Sequence, residues 1–230
     1  MSSNGINLYA NSSSCSGALI GPRHVLTAAH CVWEDGALLK VRVVPGQNGD
    51  GTSLSDIPFG TFWVSHYFLP KGWLNDPAPG NLRYDYAVLV LGEEPYLGWL
   101  GFDTSSYSSL KNVLHEATGY PGNFDEVQTF IGCDDSPLAV GTPPHFCFGY
   151  QYTQSAQLER VYTNELRSKH DAANGQSGSP IWKFSTQYVK GVLTKGSSSW
   201  TKITRIRTGV FDFICSAIAA TPTQGIHGCY

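Results

Sequence analysis

The chain has 230 residues, of which 41% are hydrophobic and 14% charged, and its formal net charge is −3. That supply of apolar residues is enough for a buried core and excludes a disordered chain. There is no basic stripe of the kind nucleic acid demands. The longest apolar runs, such as residues 214–220, fall well short of the roughly 20 residues of a bilayer span, so neither nucleic acid nor a membrane is expected as a partner.

Short runs of β-branched and aromatic residues recur between clusters of Gly, Pro, Asn and Ser, the pattern of an all-β chain. Strands are predicted at residues 18–20, 25–27, 41–44, 62–64 and 87–91. A second set is predicted at 116–119, 127–131, 158–162, 180–184 and 189–194. The run at 87–91 is continuously apolar, as a strand buried on both faces would be. Helical spacing appears only near the end, where Val210, Phe213, Ile214, Ala217 and Ile218 share one face over 209–220 and Thr208 is a candidate cap. Residues 103–109 are polar and serine-rich and read as a linker. Two β-lobes follow, 1–105 and 106–230, with a helix closing the second. Many short strands with one terminal helix suggest barrels or a sandwich.

Six cysteines fall into three local pairs, separated by 16, 14 and 14 positions. Neither a CxxC pair nor a zinc-spaced Cys/His cluster is present. The pairs therefore read as disulfides Cys15–Cys31, Cys133–Cys147 and Cys215–Cys229. Each would add on the order of 3 kcal/mol by restricting the unfolded chain. Disulfides imply an oxidising compartment, so a secreted location is expected. The opening Met1-Ser2-Ser3-Asn4-Gly5 has neither the apolar core nor the cleavage site of a leader, as in a mature form. Asn11-Ser12-Ser13 is a glycosylation sequon.

Three segments carry chemistry. Gly175-Gln176-Ser177-Gly178-Ser179-Pro180 sets a serine between glycines, which permit a tight turn with N–H groups left facing open space. A serine hydroxyl becomes a nucleophile only when a base takes its proton and fixed donors receive the charge formed on the attacked carbonyl. Leu26-Thr27-Ala28-Ala29-His30-Cys31 supplies an imidazole whose neighbours are small, apolar or bridged. None of the other six histidines shares that setting. Such a base needs a carboxylate to fix its tautomer. Asp85, at the mouth of the apolar run 87–91, is the leading candidate, and Asp76 in Asn75-Asp76-Pro77 is the weaker rival. Taken singly, each has a plainer explanation: a core histidine, a turn aspartate, a serine in a Gly/Ser turn. The set of three is what points to catalysis.

These segments resemble the chymotrypsin-like serine peptidases, and Cys15 and Cys31 match that family's bridge beside the histidine. Within it the chain is most similar to the secreted glutamyl-endopeptidase branch. The further likeness lies in Trp73, Gly98-Trp99-Leu100-Gly101, Gly119-Tyr120-Pro121-Gly122 and Thr208-Gly209-Val210-Phe211. The resemblance runs from about Cys15 to Ile218. It implies two six-stranded antiparallel Greek-key β-barrels packed across a cleft, with a C-terminal α-helix. It further implies Ser177 as nucleophile, His30 as base, Asp85 as orienting acid, and the N–H groups of Gly175 and Ser177 as an oxyanion hole. Polypeptides are the implied substrates and proteinaceous inhibitors the other partners. A monomer is expected, and the chemistry requires neither cofactor nor metal.

Two departures bear on control and specificity. Gln176 stands where many animal members have the aspartate that pairs with a newly cleaved N-terminus, which argues against that activation route. Around the substrate pocket, the resemblance points to Asp171, Ala172, Leu193, Thr194 and Lys195. Asp171 would favour a basic residue before the scissile bond. Ala172 and Leu193 replace the threonine and histidine expected of glutamate binders. Lys195 and His170 could attract an acidic side chain. Basic and acidic preferences both stay open. The alternatives to a serine endopeptidase are an inactive peptidase-like binding module and an esterase or lipase of another fold. Gly-Gln-Ser-Gly-Ser and the order His, Asp, Ser do not fit the α/β-hydrolase elbow.

Overall fold

The computed structural model describes residues 5–10, 13–49, 51–78, 81–122, 149–197, 199–221 and 229. Cys133, Cys147, the predicted strand 127–131 and the first two residues of the sequon lie outside them.

The first lobe is a closed six-stranded barrel. Its strands are β1 (Ile6–Ala10), β2 (Ser13–Leu19), β3 (His24–Thr27), β6 (Val41–Pro45), β7 (Phe62–Phe68) and β8 (Ala87–Leu91). They pair in the order β1-β2-β3-β8-β7-β6, with β1 and β6 closing the ring. Between β3 and β6 lie a 3-10 turn (Ala29–Cys31) and a hairpin of β4 (Trp33–Glu34) and β5 (Ala37–Leu38). Every residue of β8 is buried, in keeping with its unbroken apolar sequence. Each of its Val and Leu side chains contributes roughly 1.5–3 kcal/mol of burial.

After the short helix α1 (Lys71–Asn75) and β8, the chain crosses to the second lobe. There β9 (Gly101–Phe102) and α2 (Tyr107–Leu110) precede β10 (Leu114–Gly119), β11 (Tyr152–Val161), β12 (Glu165–Ser168), β13 (Pro180–Lys183), β14 (Tyr188–Lys195) and β15 (Thr201–Arg205). β10 pairs with both β11 and β13, and β13 with β14, so β10 to β15 close a second antiparallel ring of six. β9 is added to β14 in parallel. The helix α3 (Thr208–Ala220) ends the fold.

Most expected strands are present but longer than their apolar runs, because flanking polar residues also join the ladders. The linker 103–109 is partly ordered. Ser106 caps α2 by accepting from the Ser109 N–H at 3.3 Å, and Asp103 pairs with the nine-tenths-buried Lys190. Thr208 is not the cap of α3: the N-cap is Arg207, and no side chain bonds the open N–H groups there.

Two apolar cores result. One fills the first barrel and extends through Val210, Ile214, Ala217 and Ile218 of α3. The other fills the second barrel with Leu110, Ala117, Leu158, Val161, Leu166, Ile181, Leu193 and Ile203. Phe213 meets Tyr86 edge-on at 5.2 Å between ring centroids, which sets α3 against the residue after Asp85. Cys15–Cys31 and Cys215–Cys229 are bridged.

Candidate active site

His30 sits in the 3-10 turn that follows β3, its backbone held beside the Cys15–Cys31 bridge. Asp85 lies two residues before β8, the strand that pairs with β3. That pairing carries the two ends together. Asp85 is fully buried and His30 is 22% exposed on its side chain. One Asp85 oxygen accepts from His30 Nδ1 at 2.8 Å and the other from the His30 backbone N–H at 3.1 Å. The carboxylate thus fixes both the ring and the turn that carries it. With Nδ1 donating, Nε2 keeps its lone pair and can accept a proton. Asp76 is an exposed residue closing α1, and the carboxylate bonded to His30 is Asp85.

Ser177 lies in the loop before β13. Gly175 and Gly178 have φ of +86° and +88°, a region that L side chains rarely adopt. A Cβ on Gly178 would lie 2.0 Å from the Ser16 carbonyl oxygen. The Gln176 side chain closes the loop on itself, its Oε1 accepting from the Ala173 N–H at 2.8 Å while the Gln176 N–H donates to the Ala173 carbonyl at 3.2 Å. Among the described residues, no backbone carbonyl takes the N–H of Gly175 or Ser177.

The loop is tied to the first barrel by Ser16 on β2. The Ser16 N–H donates to the Ser177 carbonyl at 2.7 Å, and its hydroxyl donates to the Gly175 carbonyl at 2.9 Å and accepts from the Tyr120 N–H at 2.8 Å. Thr27 Oγ1 donates to the Ser16 carbonyl at 2.7 Å. Sequence reading missed Ser16, since nothing in its type or neighbours separates it from other serines. His30, Ser177 and Gly175 line one cavity of about 510 Å³ between the lobes, together with the Cys15–Cys31 bridge, Trp33 and Trp73.

The expected pocket residues are more scattered. Asp171 is exposed and is held by Gln154, accepting from its Nε2 at 2.7 Å and donating its own N–H to Oε1 at 2.6 Å. Asp171 and Ala172 line a different cavity from the one that holds Ser177. Leu193 is 2% exposed and belongs to the second core, so it is a packing residue and not a pocket wall. Thr194 donates to the Lys202 carbonyl at 3.3 Å, and Lys195 is exposed at the end of β14. His170 is not a loop residue facing a ligand. It is 3% exposed, its Nε2 bonds the His115 carbonyl at 2.9 Å and its Nδ1 bonds Ser168 Oγ at 2.7 Å. Burial pushes its pKa down.

The trypsin family pattern matches residues 4–214, most of the chain. The chain belongs to the trypsin family of serine proteases. A glutamyl endopeptidase of Bacillus licheniformis is 30% identical over 224 residues, covering 90% of this chain and 60% of that protein. An extracellular metalloprotease of Bacillus subtilis is 29% identical over 90% of this chain and 59% of its own length. The chain therefore spans about three fifths of the length of these relatives. Among solved structures, a Glu endopeptidase in complex with MPD superposes with a TM-score of 0.75 at 24% identity, over 94% of this chain and 91% of that one. Within the trypsin family, two of these similar proteins are glutamyl endopeptidases. Among the described residues, the one close group of metal-ligating types is Cys15, His30 and Cys31. Its sulfurs are joined to each other, so the group offers a metal no thiolate.

Proposed function

We propose that this trypsin-family protein is a secreted serine endopeptidase that cleaves polypeptides through an acyl-enzyme. Ser177 attacks the carbonyl, His30 takes its proton through Nε2 and later returns it to the leaving amine, and Asp85 orients the imidazole. The N–H groups of Gly175 and Ser177 receive the oxyanion. The observation that carries this reading is the bond from His30 Nδ1 to the fully buried Asp85, set in the same cleft as Ser177. The Cys15–Cys31 bridge and the extracellular relative support secretion. The relatives' preference for glutamate is not carried over, because Leu193 lies in the core and Ala172 offers no hydroxyl.

The test is labelling by a fluorophosphonate probe, with Ser177→Ala as the control, followed by cleavage of a proteome-derived peptide library. Wild type should label and cleave, and Ser177→Ala should do neither, with turnover lower by about 10⁶-fold. An unlabelled, folded wild-type protein would overturn the reading.

A further inference from the structure

The cleft around His30 and Ser177 carries formal charge of one sign. Apart from His30, the charged residues lining it are Glu34 and Asp35. The described ion pairs are His30–Asp85, Arg167–Glu165 and Lys190–Asp103, and none includes Glu34 or Asp35. Lys40, a few residues away in sequence, sits over the Trp63 ring at 4.4 Å. Neither Glu34 nor Asp35 thus has a cation among the described residues.

These two carboxylates are placed by backbone geometry. Glu34 pairs with Ala37 in the β4–β5 hairpin, and the two residues between them, Asp35 and Gly36, have φ of 50° and 82°. Two successive positive φ values are the mark of a type I′ turn, for which Asp-Gly is a favoured sequence. The Leu39 N–H closes the base of the hairpin on the Val32 carbonyl at 3.0 Å. That base directly follows the turn carrying His30. The acidic tip is therefore fixed relative to the base.

The wall of the same cavity includes two tryptophans. Trp73 is 1% exposed, and among the described residues its indole Nε1 has no partner. The Nε1 of Trp33 is likewise buried and unpaired. Both tryptophans line the cavity beside Glu34 and Asp35.

We infer that the first-lobe half of the cleft is a subsite for a basic side chain, Lys or Arg, close to the scissile bond of a polypeptide substrate. Its charge faces Glu34 and Asp35, and its stem lies along the cavity wall that Trp33 and Trp73 help to form. The inference rests on the peptidase reading and narrows its substrate class. It concerns a position flanking the cleaved bond and is independent of Asp171, which lines another cavity.

The experiment compares matched peptides carrying Lys, Ala or Glu at each position on either side of the cleaved bond, in wild type and in the double variant E34Q/D35N. At one flanking position wild type should favour Lys over Ala in kcat/KM by about 3- to 10-fold, the range open to two solvent-facing ion pairs. It should disfavour Glu there. In E34Q/D35N the Lys/Ala ratio should fall to within about twofold, and added salt should shrink the wild-type ratio by screening. An equal ratio in both proteins, or a flanking preference for Glu, overturns the inference. Peptide binding to Ser177→Ala, with and without E34Q/D35N, separates it from the peptidase reading. If wild type cleaves nothing but the Ser177→Ala protein still binds the Lys peptide in a Glu34/Asp35-dependent way, the subsite stands and the peptidase reading falls. Binding that ignores the two carboxylates overturns the subsite.

Discussion

Replacing Ser16 with alanine tests whether the nucleophile loop is held from the opposite lobe. Ser16 is fully buried. Its hydroxyl satisfies the Gly175 carbonyl at 2.9 Å and the Tyr120 N–H at 2.8 Å. The substitution removes one oxygen and strands two buried backbone groups. At about 1–3 kcal/mol for each buried group left unpaired, the expected loss of stability is about 2–4 kcal/mol, partial relaxation included. Function should suffer separately. The Gly175 carbonyl and its N–H belong to adjoining peptide planes, so a loosened carbonyl misaims an oxyanion donor. Complete loss of one such donor costs about 10²–10³ in kcat, and a misaimed one should cost about 10- to 100-fold, with KM moved much less. Urea unfolding measures the first effect, and steady-state kinetics normalised by active-site titration the second. A Ser16→Ala protein as stable as wild type and with full kcat would refute the account of the loop.

Asp85→Asn should keep the fold but lower kcat by about 10⁴-fold, because an amide can donate to Nδ1 and select the wrong tautomer; a protein within tenfold of wild type would remove Asp85 from the mechanism. Gly178→Ala should destabilise by about 3 kcal/mol or more, since φ is +88° and the new Cβ would collide with the Ser16 carbonyl; its urea midpoint decides this. His24 is fully buried, bonds Thr221 at the end of α3 at 3.0 Å, and has its pKa lowered from 6.5 to about 4 by burial and by Arg23. Stability from its neutral form is therefore complete above pH 6.5 and is lost as pH falls toward 4, by about 2–3 kcal/mol. His24→Leu should shrink the difference between unfolding midpoints at pH 7 and pH 4.5, and an unchanged difference would show that other groups dominate.

The parts of the fold legible in advance were those whose chemistry is local. The apolar run of β8 and the helical spacing of α3 announce themselves, and the Gly/Ser loop advertises a turn with free N–H groups. β1, β12 and β15 were not foreseen, because they are short, polar at alternate positions, and become strands only by pairing with distant neighbours. The hairpin of β4 and β5 did carry a local signal, Asp35-Gly36, between runs too short to be noticed. For the pocket, the difficulty was facing. Along β14 both faces are covered, six consecutive residues being buried, so the one-letter pattern does not tell that Leu193 packs into the second core. His170 misled similarly: it is charged or neutral, exposed or interior, according to contacts with His115 and Ser168 that no nearby residue reveals.

The last helix leans on the strand entry that presents the acid, Phe213 lying against Tyr86 and Thr221 against His24. The Asp85–His30 pair is thus buttressed from behind by packing of the helix, and loosening α3 would loosen the pair without touching either side chain.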